Sequence, residues 1–279
     1  MKKLLVGLLI MFGAFVGVVA LMGVLMVVAP EWSNSVGGLL TIQGVHTILL
    51  FACPALVGIW LSERTNPLCA MRMCCGVSLR YALLSVLFAL MALPMISCLA
   101  EWNKGLELPA FLSSFEARML AMEEAARVLT ERFLHTTSVG MMFANLFVMA
   151  LLPAVCEEML FRGWLQRGLS SRVNIHVAVW VSAFVFSAIH FQFYGFVPRM
   201  LIGAALGYIY YYSGTLWAPI LAHFTNNAVA VVATFLTYNG YVSFDFDSIG
   251  TGETWYLSVA SVAVCVAIMS RLKIRDNIL

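Results

Sequence analysis

Long apolar stretches separated by short polar segments make up most of the chain. A bilayer core about 30 Å thick requires about 20 apolar residues in a helix. By this measure the pattern predicts eight spans, at residues 1–29, 38–62, 81–100, 139–161, 174–192, 198–213, 216–238 and 254–270. The first stretch follows Lys2 and Lys3. It is longer than a signal-peptide core, and Pro30 stands where cleavage would fall, so we interpret it as a span.

The apolar stretches also indicate the fold class. Backbone N–H and C=O groups in lipid must be hydrogen-bonded within the protein, and the strands of a membrane barrel would be shorter and would alternate. The composition agrees, with 62% hydrophobic and 11% charged residues, whereas a soluble domain carries about a quarter charged residues. We therefore expect an all-α, polytopic membrane protein. Its bundle of about eight transmembrane helices would form a single membrane domain over residues 1–279.

Residues 101–138 break the pattern because they are polar and rich in acidic side chains. Ser113 and Glu116 have the spacing of a helix capping box. Apolar residues then recur at steps of four and three, at Phe115, Met119, Met122, Ala126, Leu129 and Phe133. The segment from Ser113 to His135 is therefore predicted to be an amphipathic interfacial helix that influences substrate access and does no chemistry.

The distribution of basic residues predicts the orientation in the membrane. A cytoplasmic N-terminus places ten of the 16 basic residues on one side: Lys2, Lys3, Arg64, Arg72, Arg80, Arg167, Arg172, Arg271, Lys273 and Arg275. The other side receives Glu31, Asp245, Asp247 and Glu253. The positive-inside rule then predicts that both termini are cytoplasmic. We expect a multi-pass protein of the bacterial inner membrane, in contact with membrane lipid. The net charge of +2 gives no reason to expect a nucleic-acid partner.

The seven cysteines show no disulfide pattern. Cys53, Cys98, Cys156 and Cys265 lie in apolar stretches, whereas Cys69, Cys74 and Cys75 share one basic loop. A metal pair at Cys74 and Cys75 would need distant partners that the spacing does not supply. We therefore expect free thiols in a reducing compartment.

The first candidate site lies in the predicted span 139–161 and just beyond it, where Glu157, Glu158 and Arg162 occur in one helix. Ionisable residues in apolar spans are costly, and each one is a functional hypothesis. Glu158 and Arg162 are four residues apart, the spacing of a helical ion pair. Glu157 points about 100° away and is left without a partner, so it is a candidate general base. The competing interpretation is a snorkelling cluster at the membrane boundary, which explains the arginine but not the two glutamates.

Three further polar residues extend this site. His190 ends one predicted span, and His223 with Asn227 lies on one face of another. The predicted spans place the two histidines at different depths, so a shared site requires tilted helices or other boundaries. Gln43 and His46 stand alone in a third span, and we assign them structural roles.

The ordered motifs Glu157-Glu158-x-x-x-Arg162, Phe186-x-x-x-His190 and His223-x-x-x-Asn227 resemble those of the CAAX prenyl endopeptidase and bacteriocin-processing family of intramembrane proteases. The resemblance covers residues 150–230, which would form the catalytic core. It implies cleavage of a peptide bond in or near the bilayer, in a peptide or membrane-protein substrate. Glu157 would activate water with His190 as its partner, His223 and Asn227 would polarise the carbonyl group, and Glu158 with Arg162 would support the site.

The metal requirement is open at this stage. Glu157, His190 and His223 are a ligand set that suits catalytic zinc, and members of this family are often labelled metalloproteases. The same residues also suffice for metal-free hydrolysis, which we favour because an Asn beside a His suits an oxyanion hole. The alternative functions are a transporter or ion channel that uses the same buried residues, and a membrane scaffold without activity.

Overall fold

The computed structural model describes residues 2–243 and 246–273. Helix accounts for 82% of it, and no strand occurs in these two ranges, so the predicted all-α class is confirmed. The α-helices, in chain order, are α1 (Lys2–Val28), α2 (Pro30–Ser33), α3 (Val36–Thr47), α4 (Cys53–Glu63), α5 (Pro67–Ala70), α6 (Leu79–Met91), α7 (Leu93–Lys104), α8 (Ser113–Leu134), α9 (Val139–Asn145), α10 (Leu152–Glu158), α11 (Arg167–Ser170), α12 (Ile175–Ala188), α13 (Phe196–Ser213), α14 (Trp217–Tyr238) and α15 (Trp255–Lys273). Short 3-10 turns occupy Ala110–Leu112, Phe246–Ser248 and Gly252–Thr254.

Two long spans contain π-helical turns, in which each backbone hydrogen bond joins residues one position further apart than in an α-helix. They cover Ile48–Ala52, between α3 and α4, and Leu146–Leu151 with Met159–Gln166, on either side of α10. The first two segments each end two residues before a proline, Pro54 or Pro153. Proline lacks an N–H group and its ring clashes with the carbonyl four residues back, so the widened turn accommodates it without ending the helix.

Four stretches are long and apolar enough to cross a membrane: Val36–Leu61, Val139–Ser170, Trp217–Tyr238 and Gly252–Lys273. Helices α6 and α7 meet at a 41° bend before Pro94 and make five if they are counted as one span. The predicted count of about eight is therefore not confirmed. Helix α12 has only 14 residues, about 21 Å, and α13 is less apolar because it carries Arg199 and four tyrosines.

The predicted orientation is not tested by the helices themselves. Of the charged residues on which it depends, Asp245 and Arg275 lie outside the described residues, as do the side chains of Lys2, Lys3 and Asp247.

Helix α14 lies at the centre of the bundle. It packs against α6, against the π-helical segment Leu146–Leu151, and against α10 and α13. Small residues such as Ala154, Ala218 and Ala222 are almost completely buried, which lets the backbones of neighbouring helices approach closely. The segment that holds the candidate residues is therefore enclosed by helices on several sides.

Helix α8 is present as predicted, but two details differ. Ser113 is already inside the helix and makes no capping hydrogen bond, so the predicted capping box is wrong. The Glu116 carboxylate instead accepts hydrogen bonds from the Leu108 N–H and the Tyr194 hydroxyl. The predicted apolar face is also interrupted, since Phe133 is buried while Phe115 and Met122 are exposed.

The expectation that all cysteines are free is wrong for one pair. Cys69 and Cys74 form a disulfide, with their Cα atoms 4.8 Å apart. The one-turn helix α5 and the left-handed backbone at Arg72, with φ of 63°, fold this short loop back on itself. The spacing of the cysteines in the sequence did not reveal the pair, because the local turn geometry decides whether two nearby thiols meet. Cys53, Cys75, Cys98, Cys156 and Cys265 are free.

Candidate active site

Glu157, Glu158 and Arg162 lie deep within one continuous helical stretch, Val139–Ser170. The two glutamates end α10, and Arg162 lies in the π-helical segment that follows. Their exposed fractions are 7%, 0% and 1%, respectively. Burial of three ionisable side chains among apolar helices rules out the snorkelling interpretation, in which they would reach water. π-Helical turns of this kind often occur at functional sites.

Glu158 connects two of the sequence motifs. Its Oε1 atom accepts hydrogen bonds from Nη1 of Arg162 at 2.6 Å and from Nδ1 of His223 at 2.8 Å. The predicted ion pair between Glu158 and Arg162 is thus confirmed. The bond to His223 joins α10 to α14 and fixes the orientation of the imidazole ring.

The Arg162 guanidinium is also attached to α13. Its Nη2 atom donates to the carbonyl of Gly203 at 2.7 Å, and one turn further Gln166 donates to the carbonyl of Gly207. A Cβ atom at Gly203 would lie 3.0 Å from the Phe186 ring, and one at Gly207 would lie 2.6 Å from the Gln166 side chain. Glycine at these two positions therefore allows the helices to come close enough for both hydrogen bonds.

The ring of Phe186 contacts both histidines. Its centroid lies 5.2 Å from that of His190 and 5.9 Å from that of His223, both edge-on. The Arg162 guanidinium lies over the same ring at 4.9 Å. The two histidines are therefore close together, as a shared site requires. Because α12 ends at Ala188, His190 follows a short helix and lies inside the bundle rather than at its outer surface.

The backbone determines the protonation of one His190 nitrogen. Nδ1 lies 2.7 Å from the carbonyl oxygen of Phe186. A carbonyl oxygen only accepts hydrogen bonds, so Nδ1 carries the proton. In the neutral ring Nε2 is then the acceptor that remains for other groups.

Four of the six predicted site residues line one cavity of about 600 Å³: Glu157, His190, His223 and Asn227. The Glu157 Oε2 and His223 Nε2 atoms are 3.8 Å apart across it. Glu158 and Arg162 do not line the cavity but lie behind His223. Three sequence segments separated by tens of residues thus supply a carboxylate, two imidazoles and an amide to a single space.

Five polar residues of the cavity were missed or assigned another role. Arg199, Gln192, Thr130 and Asn226 line it, and so does Gln43, for which we predicted a structural role. A signal existed for Arg199, because it is a charged residue at the start of an apolar predicted span, the criterion that had identified Glu157. His46 is partly buried in α3 and does not line the cavity.

Zinc would require Glu157, His190 and His223 to converge on one point. Among the residues that the structure describes, no three His, Cys, Asp or Glu side chains are arranged to hold a metal ion. The Nδ1 hydrogen bonds of His223 and His190 are of the kind that zinc-bound histidines also make, so zinc is disfavoured only because the side chains do not converge on one point. The arrangement present does not fit a zinc site, and we derive no step through a metal.

The cavity adjoins two others of different character. A polar one of about 860 Å³ is lined by charged side chains of α8 and shares Thr130, Leu134 and Gln192 with it. Another of about 410 Å³ runs along α14, has no Asp, Glu, Lys or Arg among its described lining residues, and shares Ile96, Asn226 and Ala230. The site thus adjoins one cavity with charged walls and one whose described lining lacks these residue types.

An enclosed site of carboxylate, imidazole and amide groups in a helical membrane bundle is the kind that an intramembrane hydrolase needs. Residues 139–229 match the family model of the Rce1-like type II CAAX prenyl endopeptidases. The resemblance noted in the sequence is therefore confirmed over this segment. At the level of the family, the match supports a CAAX-type intramembrane protease and, with the apolar helices, a multi-pass integral membrane protein.

A curated relative is similar to part of the chain. The uncharacterized protein YpbD of Bacillus subtilis (strain 168) is 35% identical over 89 residues, which are 30% of this chain and 43% of YpbD. The chain thus spans less than half the length of this relative. No solved structure matches the chain.

Proposed function

We propose that this protein is an intramembrane endopeptidase that hydrolyses a peptide bond in or near the bilayer with water activated by Glu157. One observation carries the proposal: a single cavity is lined by Glu157 of α10, by His190 of the segment after α12, and by His223 and Asn227 of α14. The family match to residues 139–229 supports the same class of reaction. Residues 150–230 would form the catalytic core of a single membrane domain.

Glu157 acts as the general base. Its carboxylate faces the cavity, while that of the adjacent Glu158 is bonded to Arg162 and His223. A water molecule held by Glu157 and by Nε2 of His190 would lose its proton to the carboxylate as it attacks the carbonyl carbon.

His223 and Asn227 polarise the carbonyl group of the substrate. They lie one turn apart on α14, so both side chains reach the same part of the cavity. Because Nδ1 of His223 donates to the Glu158 carboxylate, protonation at Nε2 makes the ring a cation that donates toward the cavity. The amide N–H of Asn227 supplies a second donor to the developing oxyanion.

Glu158 and Arg162 are positioning residues. Glu158 holds His223 through Oε1, and Arg162 compensates the charge of Glu158 while it ties α10 to α13. Buried charges of this kind are stable only when they are paired and hydrogen-bonded. The pair therefore contributes to the site by fixing the imidazole rather than by touching the substrate.

The substrate is a peptide or a membrane protein that reaches the site from lipid. The cavity along α14, where no Asp, Glu, Lys or Arg occurs among the lining residues that the structure describes, would accept a membrane-embedded segment, and the cavity beneath α8, with its charged walls, would admit water. We place the protein in the bacterial inner membrane, surrounded by lipid and with both termini in the cytoplasm.

A comparison of membrane proteomes tests the proposal. Cells that express the active chain are compared with cells that express Glu157→Gln, and the termini of membrane peptides are identified by mass spectrometry. The proposal expects at least one new peptide terminus that depends on Glu157. Identical sets of termini, with both proteins present at equal levels, would contradict it.

A further inference from the structure

Arg199 is a charged side chain inside the candidate active site to which the sequence motifs give no role. It lies in the first turns of α13, and its side chain lines the cavity that also contains Glu157, His190, His223 and Asn227. Most of its surface is inaccessible to solvent, and apolar residues such as Ile202 and Leu206 line the cavity beside it. A cation in such surroundings requires an anionic or acceptor group nearby.

The guanidinium group is held from one side only. Its Nη2 atom donates to Oε1 of Gln192, in the segment that also carries His190. A Cβ atom at Gly195 would lie 2.9 Å from this Nη2 atom, so glycine leaves the space that the guanidinium occupies. The side chain is thus held in a fixed place against the segment between α12 and α13.

The other edge of the guanidinium has no partner. Nη1 is buried and makes no hydrogen bond to any described group. Within the described ranges Arg199 also forms no salt bridge, and the Glu157 carboxylate across the cavity lies instead 3.8 Å from His223. The planar fork of an arginine matches a carboxylate through two parallel hydrogen bonds. The carboxylates of Glu157 and Glu123 act on the guanidinium only at longer range, so the cavity presents a fixed guanidinium whose Nη1 makes no hydrogen bond to a described group, beside the proposed base.

We propose that Arg199 binds a carboxylate of the substrate and thereby selects which peptide bond lies at Glu157. This inference rests on the proposed function, since it assumes that a peptide enters the cavity. A cavity of about 600 Å³ is of the size that holds a small ligand, and a short peptide segment fits it. The carboxylate belongs either to the free C-terminus of the peptide or to an Asp or Glu side chain close to the cleaved bond.

Binding of short peptides to the purified, detergent-solubilised protein tests this assignment without requiring turnover. Three N-acetylated probes are compared by calorimetry: trileucine with a free C-terminus, trileucine amide, and Leu-Asp-Leu amide. Wild-type protein should bind at least one carboxylate probe about 10- to 100-fold more tightly than trileucine amide, as expected for a charge-assisted hydrogen bond. The probe that gains affinity identifies the source of the carboxylate.

Variants then assign the difference to Arg199. Arg199→Gln should remove the preference for the carboxylate probe and leave the affinity for trileucine amide unchanged, whereas Arg199→Lys should retain part of the preference. Gln192→Leu, which keeps the cation but removes its support, should weaken carboxylate binding only. The matched control is Arg172→Gln, which removes an exposed cation outside the cavity and should keep the full preference.

Two results would overturn the inference: equal affinity of wild-type protein for the carboxylate and amide probes, or a preference that persists in Arg199→Gln. The same titrations in Glu157→Gln separate this inference from the proposed function. If Glu157→Gln still cleaves membrane substrates, the proposed mechanism fails, while the carboxylate preference is measured independently. If Glu157→Gln is inactive and the preference is absent, only the role of Arg199 fails.

Discussion

Glu158 accepts hydrogen bonds from a guanidinium and an imidazole through the same carboxylate oxygen, and neither donor is exposed to water. The two adjacent glutamates therefore differ in the number of side chains that depend on their carboxylates. Loss of the Glu158 charge leaves two buried donors without their acceptor, whereas Glu157 holds no other side chain in a hydrogen bond. The two residues should therefore respond differently to the same substitution.

Glu158→Gln should lower both stability and activity. The amide cannot balance the charge of Arg162, and breaking a buried ion pair costs about 3 to 5 kcal/mol. Thermal unfolding of the purified variant in detergent should show a lower midpoint than that of Glu157→Gln, which is the matched control because it makes the same change one residue earlier. Equal midpoints for the two variants would contradict the supporting role of Glu158.

His223→Ala and Asn227→Ala should each lower turnover by about 10² to 10³-fold if their side chains stabilise the oxyanion. The loss should appear in kcat, since the interaction forms in the transition state. Thr225→Ala is a suitable control on the same helix, because its hydroxyl bonds to the Leu221 carbonyl and does not line the cavity. A change of less than about threefold in both His223→Ala and Asn227→Ala would exclude this assignment.

At the residue scale the sequence predicted contacts within one helix but not contacts between helices. The spacing of Glu158 and Arg162 was sufficient to predict their ion pair. The bond between Glu158 and His223 joins residues 65 positions apart, and helical periodicity carries no information on which helices meet. Arg199 was missed although it stands at the start of a predicted span, and its place in the cavity depends on contacts between helices that the sequence does not show.

Helix α8 is attached to the segment that carries His190. Glu116 accepts a hydrogen bond from the Tyr194 hydroxyl at 3.1 Å, and Glu123 accepts one from the Tyr194 backbone N–H at 3.2 Å. Thr130 and Leu134 of the same helix line the site. The helix thus forms part of the wall between the polar cavity and the proposed base, which gives the predicted role in substrate access a physical basis.

Tyr194→Phe should raise KM about 2- to 10-fold and leave kcat nearly unchanged. The substitution removes one hydrogen bond between α8 and the segment after α12. A rise in KM of this size is what the loss of one neutral or charge-assisted hydrogen bond at a partly exposed site should cause. Tyr256→Phe, at an exposed position of α15, serves as the control. A fall in kcat comparable to that of Glu157→Gln would instead place this contact in the chemical step.

At the element scale the positions of the long helices were predictable and their internal irregularities were not. The predicted span 216–238 agrees with α14 to within one residue. The π-helical segments next to Glu157 and Glu158 were not predicted, because they depend on the hydrogen bonds around Pro153 and on tertiary packing.

The whole molecule combines a few long spans with shorter helices. Apolar stretches in the sequence were each counted as one span, which gave eight, whereas among the described residues four or five helices have the necessary length and apolarity. A short apolar helix such as α12 is stabilised by its neighbours within the bundle, so its composition alone does not show how far it extends.

Reporter fusions test the orientation of the whole molecule. We predict that reporters active only in the cytoplasm, placed before residue 2, within 171–174 and after residue 273, are all active, since the basic residues cluster near these points. A fusion within the acidic segment 239–253 is the control and should be inactive. A C-terminal reporter active only outside the cell would require a different number of spans.

The central claim is that Glu157 is the base that activates water, and cleavage of a lipid-anchored fluorogenic peptide by vesicle-reconstituted protein tests it most directly. Glu157→Gln should lower kcat by about 10² to 10⁴-fold, the usual contribution of a general base. Its unfolding midpoint should match that of wild type, because the amide leaves no buried cation without a partner. Glu101→Gln, at an exposed carboxylate outside the cavity, should cleave at the wild-type rate. Undiminished cleavage by folded Glu157→Gln would contradict the account.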